Sequence, residues 1–271
     1  ATATATTASG QAANALDEVT EIIDLSKPTA SLGRQSSDEF HHAIDPDTVE
    51  LDECVVDQLR EFVTMVACMY RDNFFHNFEH ASHVTMSAQK LLKRVVAAHE
   101  SKTDHHTDNL DGASSSSNLK DYTYVITSDP LIQFAIVFSA LIHDVDHTGV
   151  PNSQLVKEKA MIAQLYKNRC VAEQNSLDLA WEYLLNPTYK DLQRCIFANA
   201  SEMARFRQVV VNVVMATDIF DPDMKAIRDS RWDKAFHNDS PLSVRDEQNL
   251  KATIVIEYIM QASDVSHTMQ H

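Results

Sequence analysis

The sequence predicts an all-α fold, and three observations carry that prediction. The chain has 271 residues but only four glycines, too few for a sheet-rich protein with many tight turns. Apolar residues recur at three- and four-residue intervals through most of its length. The seven prolines fall mainly between those periodic stretches, where they punctuate helices. With 44% hydrophobic residues there is material for one large core or two modest ones.

Taken in order, residues 1–45 are rich in Ala, Thr, Ser and Asp, with one apolar patch near Ile22 to Leu25. They read as a loosely held, partly disordered leader, with His41 and His42 in a solvated loop. Residues 46–271 read as one helical domain. Val49, Leu51, Val55, Val56, Leu59, Phe62, Val63 and Val66 predict an amphipathic helix ending near Tyr70. In the following RDNFFHNFEHASHV, His76 and His80 are four apart. On a helix they would share one face with about 6 Å of rise between them. The same helix would continue through Val84, Leu91, Leu92 and Val95.

The stretch at about 101–121 is polar, contains SSSS and reads as a surface insertion. Asp129-Pro130 is an N-cap and first-turn pair for a helix through the apolar run Leu131 to Leu141. Further helices are expected at Ala160 to Tyr166, Val171 to Leu185, Pro187 to Ala200 and Glu202 to Thr217. Trp232 to Phe236 reads as a short element. Asp246 to Ala262 is a last amphipathic helix that delivers Asp264.

The formal net charge of −16, with no Lys/Arg-rich run, disfavours a polymeric nucleic acid as partner. A small anion remains acceptable if bound cations supply local positive charge. Cys54, Cys68, Cys170 and Cys195 lack CxxC spacing and read as reduced core residues. No apolar stretch reaches spanning length, so a soluble domain is expected.

The segment LIHDVDHTGVPNSQL, Leu141 to Leu155, places His143, Asp144, Asp146 and His147 directly behind an apolar helix. That much ionisable character is costly to bury without a cation. An imidazole and a carboxylate side by side can approach one ion from neighbouring directions, and the carboxylate keeps a second oxygen for another. His147 would lie one helical turn beyond His143. An isolated His-Asp pair is more often an ordinary helix cap, so this motif needs partners elsewhere.

Five segments in one order supply them: HNFEHASHV from His76, LIHDVDHTGVPN from Leu141, YKNRCVAEQNSL from Tyr166, VVMATDIF from Val213 and ASDVSH from Ala262. Together they resemble the catalytic domain of the class I cyclic-nucleotide phosphodiesterases, a branch of the HD metal-dependent phosphohydrolases. The resemblance implies a compact multi-helix fold and hydrolysis of cyclic AMP or cyclic GMP to the 5′-monophosphate. It implies that His80, His143, Asp144 and Asp264 hold zinc, with Asp144 also reaching a second ion, magnesium or manganese, in a binuclear site. His147, Glu173 and Thr217 match positions that orient the waters around the ions. His76 matches the general acid that protonates the leaving sugar oxygen while a metal-activated hydroxide attacks phosphorus. His267 falls on the nucleotide side by its place after Asp264, and Asp146 reads as structural.

The sequence also departs from the family pattern. Phe75 stands where the family has Tyr, His83 where it has Asp, and Gln174-Asn175-Ser176 follow Glu173 where it has Asn-His-His. Only seven residues follow Asp264, so the family's purine-binding glutamine and phenylalanine have no counterpart, and the fold is expected to be incomplete at its C-terminal end. Fused regulatory or cyclase domains, or a membrane-attached parent around a cytoplasmic domain, are what such families add. Two other readings stay open: an HD phosphohydrolase acting on other phosphoesters, and a degenerate metal- or nucleotide-binding regulatory module.

Overall fold

The computed structural model describes residues 15–20, 22–25, 49–100, 126–127, 129–237 and 242–266, with the side chains of 97–100 left aside. Among the described residues it is helical, with no strand. The helices are α1 (Ala15–Glu18), α2 (Glu53–Met69), α3 (Phe78–Glu100), α4 (Pro130–Ile142), α5 (Asn152–Lys157), α6 (Met161–Leu165), α7 (Val171–Leu184), α8 (Lys190–Ile196), α9 (Ala200–Met215), α10 (Pro222–Phe236) and α11 (Val244–Ser266). A 3-10 turn at Pro187–Tyr189 precedes α8. No helix among the described residues is long and apolar enough to cross a membrane.

The packing is organised around α4. Its N-terminus is fixed as the sequence suggested: Asp129 accepts from Leu131 N at 2.9 Å, and Pro130 fills the first turn where its missing N–H costs nothing. Leu131, Ile132, Ala135, Ile136, Phe138 and Ile142 are all buried, because α3 and α9 cover α4 on different sides. α11 packs along α3 and against α10. Phe138 sits between Phe62 of α2, with ring centroids 5.7 Å apart, and Phe206 of α9 at 5.3 Å. Removing Phe62 or Phe206 from water stabilises the fold by roughly 2–3 kcal/mol each. The consequence for function is that α3, α4 and α11 are packed into one unit, and each ends or begins near the same point.

Four expectations need correction. Trp232 to Phe236 is the end of a fifteen-residue helix rather than a short element. Asp221 caps that helix, accepting from Asp223 N at 2.9 Å and Met224 N at 3.0 Å, and Pro222 takes the first turn. Only Met224 and Arg231 of α10 are buried, so the helix shows no apolar stripe to read. Asp264 lies inside α11, not beyond it. Cys170 alone of the cysteines is buried; Cys54, Cys68 and Cys195 are exposed, and all four are free.

The fourth correction concerns the leader. Residues 15–20 and 22–25 are not loosely held but form a strap docked on the domain. Ala15, Ile23 and Leu25 join the core. Ile23 N donates to Thr253 Oγ1 of α11 at 3.2 Å, and Arg205 Nη2 donates to the Leu25 carbonyl at 2.6 Å. Arg207 meets Glu18 through two hydrogen bonds of 2.7 Å, and Arg245 meets Asp24 at 2.9 Å. The fully buried Arg231 of α10 joins the Thr20 carbonyl, Glu257 of α11 and, at 3.0 Å, Asn212 of α9. The apolar patch near Ile22 to Leu25 supplies part of the hold, and the arginines that supply the rest are scattered over α9, α10 and α11, where they carry no period in the sequence. The rest of the leader, with His41 and His42, and the insertion at 101–121 lie outside the described residues.

Candidate metal centre

His80 enters the site from the first turn of α3. Asn77 caps that turn, its Oδ1 accepting from His80 N at 2.9 Å, as asparagine favours at a helix start. The cap places His76 outside the helix, so His76 and His80 do not stack on one helical face. Their ring centroids are nevertheless 6.3 Å apart.

His143 arrives from the other side, as the C-cap of α4. The helix does not continue to His147. Asp146 takes a left-handed φ of 59° and its N–H goes to the Met69 carbonyl at 3.1 Å, a tertiary partner that captures the chain and turns it. Asp146 itself is tied to Arg71 at 2.7 Å and to Asn175 at 3.1 Å. Tyr70 Oη donates to the Leu141 carbonyl at 2.7 Å, pinning the end of α4 to the end of α2.

Four side chains meet between these ends. His80 Nε2 lies 3.0 Å from Asp264 Oδ1 and 3.5 Å from Asp144 Oδ2. His143 Nε2 lies 3.2 Å from Asp144 Oδ2 and 3.7 Å from Asp264 Oδ1. Donors held about 2.1 Å from one cation would be separated by roughly 3.0–3.4 Å. His80, His143 and Asp264 are mutually close enough to share such an ion, and Asp144 flanks them beside both imidazoles. His143 Nδ1 is 3.0 Å from the Ala140 carbonyl, which fixes the tautomer and leaves the buried Nε2, without a hydrogen bond, aimed at the carboxylates. The donor set therefore fits a metal ion.

The electrostatics agree. Burial opposes a charge on His143, but Asp144 and Asp264 outweigh it and hold its pKa well above the usual value. Burial would raise Asp264, but His143 and His80 pull it well below the carboxylate range; Asp144 is lowered by His143 in the same way. Protons on imidazole thus neutralise the acids, and a cation entering the site must displace them.

His76 and His147 form a second layer. Their rings stack with centroids 3.8 Å apart and planes at 24°. Burial lowers both pKa values, that of His147 to about 4. Gly149 N donates to His147 Nδ1 at 2.9 Å, which places the His147 proton on Nε2. Phe75, in place of the expected tyrosine, packs its ring 4.6 Å from His80 and 5.0 Å from His76.

Glu173 stands in α7 beside two residues that sequence reasoning passed over. Asn152 Nδ2 donates to Glu173 Oε2 at 2.8 Å and to Asp218 Oδ2 at 3.0 Å, bridging two carboxylates, while its Oδ1 accepts from Ala172 N at 3.0 Å. Both lie inside quoted motifs, GVPN and MATDIF, and a paired acid and amide were the available signal. Burial, then the charge of Asp218, pushes Glu173 up to about 7 from an ordinary 4.5. Between those values the native protein holds a proton that the unfolded chain has released. Metal-free protein should therefore lose roughly 2–3 kcal/mol of stability as pH rises from 4.5 to about 7. Urea unfolding with chelator at pH 5 and pH 8 measures this, and Glu173→Gln should lose less over the same interval.

Thr217 donates its hydroxyl to the Val214 carbonyl at 2.7 Å, ending α9, and no described hydrogen bond joins it to the four-donor cluster. His267 lies outside the described residues. A second group, Cys170, Asp218 and Asp221, is close enough to share an ion. Burial and the nearby acids push the Cys170 thiol far up, and Asp218 and Asp221 already serve backbone N–H groups as caps. That group fits a buried structural corner better than a thiolate site.

A family model described as 3'5'-cyclic nucleotide phosphodiesterase matches residues 75–271. A probable 3',5'-cyclic-AMP phosphodiesterase of Caenorhabditis elegans is 31% identical over 152 residues, covering 55% of this chain and 18% of the relative. A dual specificity calcium/calmodulin-dependent 3',5'-cyclic nucleotide phosphodiesterase of Mus musculus is 30% identical over 149 residues, covering 54% and 17%. The matched stretch thus spans less than a fifth of either longer protein. Among solved structures, the phosphodiesterase domain of a rhodopsin fusion protein from Salpingoeca rosetta shares the fold. It has a TM-score of 0.55 and 21% identity, over 79% of this chain and 56% of that one.

Proposed function

Because the chain belongs to the 3'5'-cyclic nucleotide phosphodiesterase family, a metal-dependent one, we propose that its parent protein hydrolyses cyclic AMP or cyclic GMP to the 5′-monophosphate. The observation that carries the reading is the meeting of His80, His143, Asp144 and Asp264 from α3, the end of α4 and α11. Two imidazoles and two carboxylates suit zinc, and the remaining oxygen of Asp144 suits magnesium or manganese with a largely aqueous shell. Bound there, the ions would supply Lewis acidity toward the phosphate and a water ionised near neutral pH.

The protein's own groups supply the rest. His76, backed by the His147 ring, would take up a second proton beside the anionic phosphate and, as imidazolium, give it to the sugar oxygen as that oxygen's bond to phosphorus breaks, returning to neutral imidazole. Glu173, steadied by Asn152, and Thr217 order water about the ions. The printed names of the relatives, one for cyclic AMP and one of dual specificity, support the substrate class.

The test is release of 5′-monophosphate by the zinc- and magnesium-loaded protein from each cyclic nucleotide, beside a panel of acyclic phosphoesters. His143→Ala should lower turnover at least about a hundredfold, since it removes a direct donor to the ions. Unchanged turnover in that variant, or faster cleavage of the acyclic esters, would overturn the reading. Ions bound without any turnover would instead favour a regulatory module.

A further inference from the structure

Asn73, in the turn between α2 and α3 and outside the family match, makes contacts that nothing in the motif reading assigns. Its amide Nδ2 donates to two carbonyls at once: that of His76 at 3.2 Å and that of His147 at 2.5 Å. These are the two residues whose rings stack at 3.8 Å. Both hydrogens of the amide are thereby used, one on each histidine's backbone. The Asn73 carbonyl in turn accepts from Asn77 Nδ2 at 3.0 Å, and Asn77 Oδ1 caps His80 N. One run of side-chain amides therefore connects the His147 loop, His76 and the start of α3.

The opposite face of the amide explains a glycine. A Cβ at Gly149 would stand 2.7 Å from Asn73 Oδ1, and Gly149 has a φ of +78° that side chains rarely adopt. Gly149 N is also the donor to His147 Nδ1. The loop is shaped so that Asn73 can approach it closely, and that approach sets the height of His147 beneath His76.

We propose that Asn73 is a positioning residue: its amide sets the stack of His76 on His147 and so aims the His76 N–H at the leaving oxygen. The inference rests on the reading of His76 as proton donor. A misaligned general acid costs most where the leaving group most needs a proton. A cyclic nucleotide expels a sugar alkoxide, whereas bis(para-nitrophenyl) phosphate expels a stable phenolate that needs none.

For Asn73→Ala, kcat on the cyclic nucleotide should fall roughly 10–100-fold with KM changed less than about twofold, while the nitrophenyl ester is cleaved within about twofold of wild type. Zinc content should not change. A second readout needs no turnover: proton NMR of the metal-free protein, in which the ring-current shifts of His76 and His147 report their stacking. Those shifts should move in Asn73→Ala, and again in Asn73→Ser should the alanine variant not fold. His76→Ala is the control and should show the same selectivity between the two esters. Equal losses on both esters in His76→Ala would remove the proton-donor reading and this inference with it. Selective loss in His76→Ala, with equal losses or unmoved ring shifts in the Asn73 variants, would overturn the role of Asn73 alone.

Discussion

Asp264→Ala is expected to weaken zinc binding by about a hundredfold or more, read by competition with a chelator at neutral pH. Changes to groups that merely orient a ligand already cost about 10–100-fold, and Asp264 faces both imidazoles directly, at 3.0 Å from His80 and 3.7 Å from His143. Its removal also withdraws one of the two carboxylates that hold the pKa of His143 up. The fold should survive, because Asp264 is partly exposed near the end of α11 while Ile256, Ile259 and Met260 remain in the core. A second readout follows from linkage: zinc at a thousand times its dissociation constant stabilises wild type by about 4 kcal/mol, and a hundredfold weaker variant at the same zinc concentration should keep only about 1.4 kcal/mol of that. Equal zinc affinity in the two proteins would show that Asp264 is no ligand.

The second large effect is expected at Arg231. Its guanidinium is fully buried and joined to Glu257, Asn212 and the Thr20 carbonyl, so Arg231→Ala leaves the Glu257 carboxylate inside the protein without its cation. Breaking such a pair from one side costs about 3–5 kcal/mol, whereas replacing both partners with apolar groups of similar volume is often neutral. Urea unfolding should show that loss for Arg231→Ala and recover most of it in Arg231→Met combined with Glu257→Leu. A single variant as stable as wild type would mean the network contributes little.

These two residues also mark what could be read in advance. The helices with an apolar stripe were legible, and α4 was legible at its start because Asp129-Pro130 caps in a standard way. α10 was not, since its burial runs through an arginine and a methionine rather than a periodic face. The metal-type residues were legible as letters, but their geometry was not. Helical spacing suggested that His76 and His80, and His143 and His147, share faces. In the structure a capping asparagine and a left-handed aspartate break both helices between the members of each pair. Asn73, Asn152 and Asp218 escaped because loop amides and acids carry no period, and their meaning appears only when distant segments face one another.

The docked strap at 15–25 bears on how the molecule should be handled. A fragment trimmed to the region recognised as family, from residue 75 onward, would lose α2 and the segment that covers Arg205, Arg207 and Arg231. Three positive side chains would then face a newly opened apolar seam beside the helix that carries Asp264. Such a fragment would be prone to clump, although every candidate metal ligand were still in it.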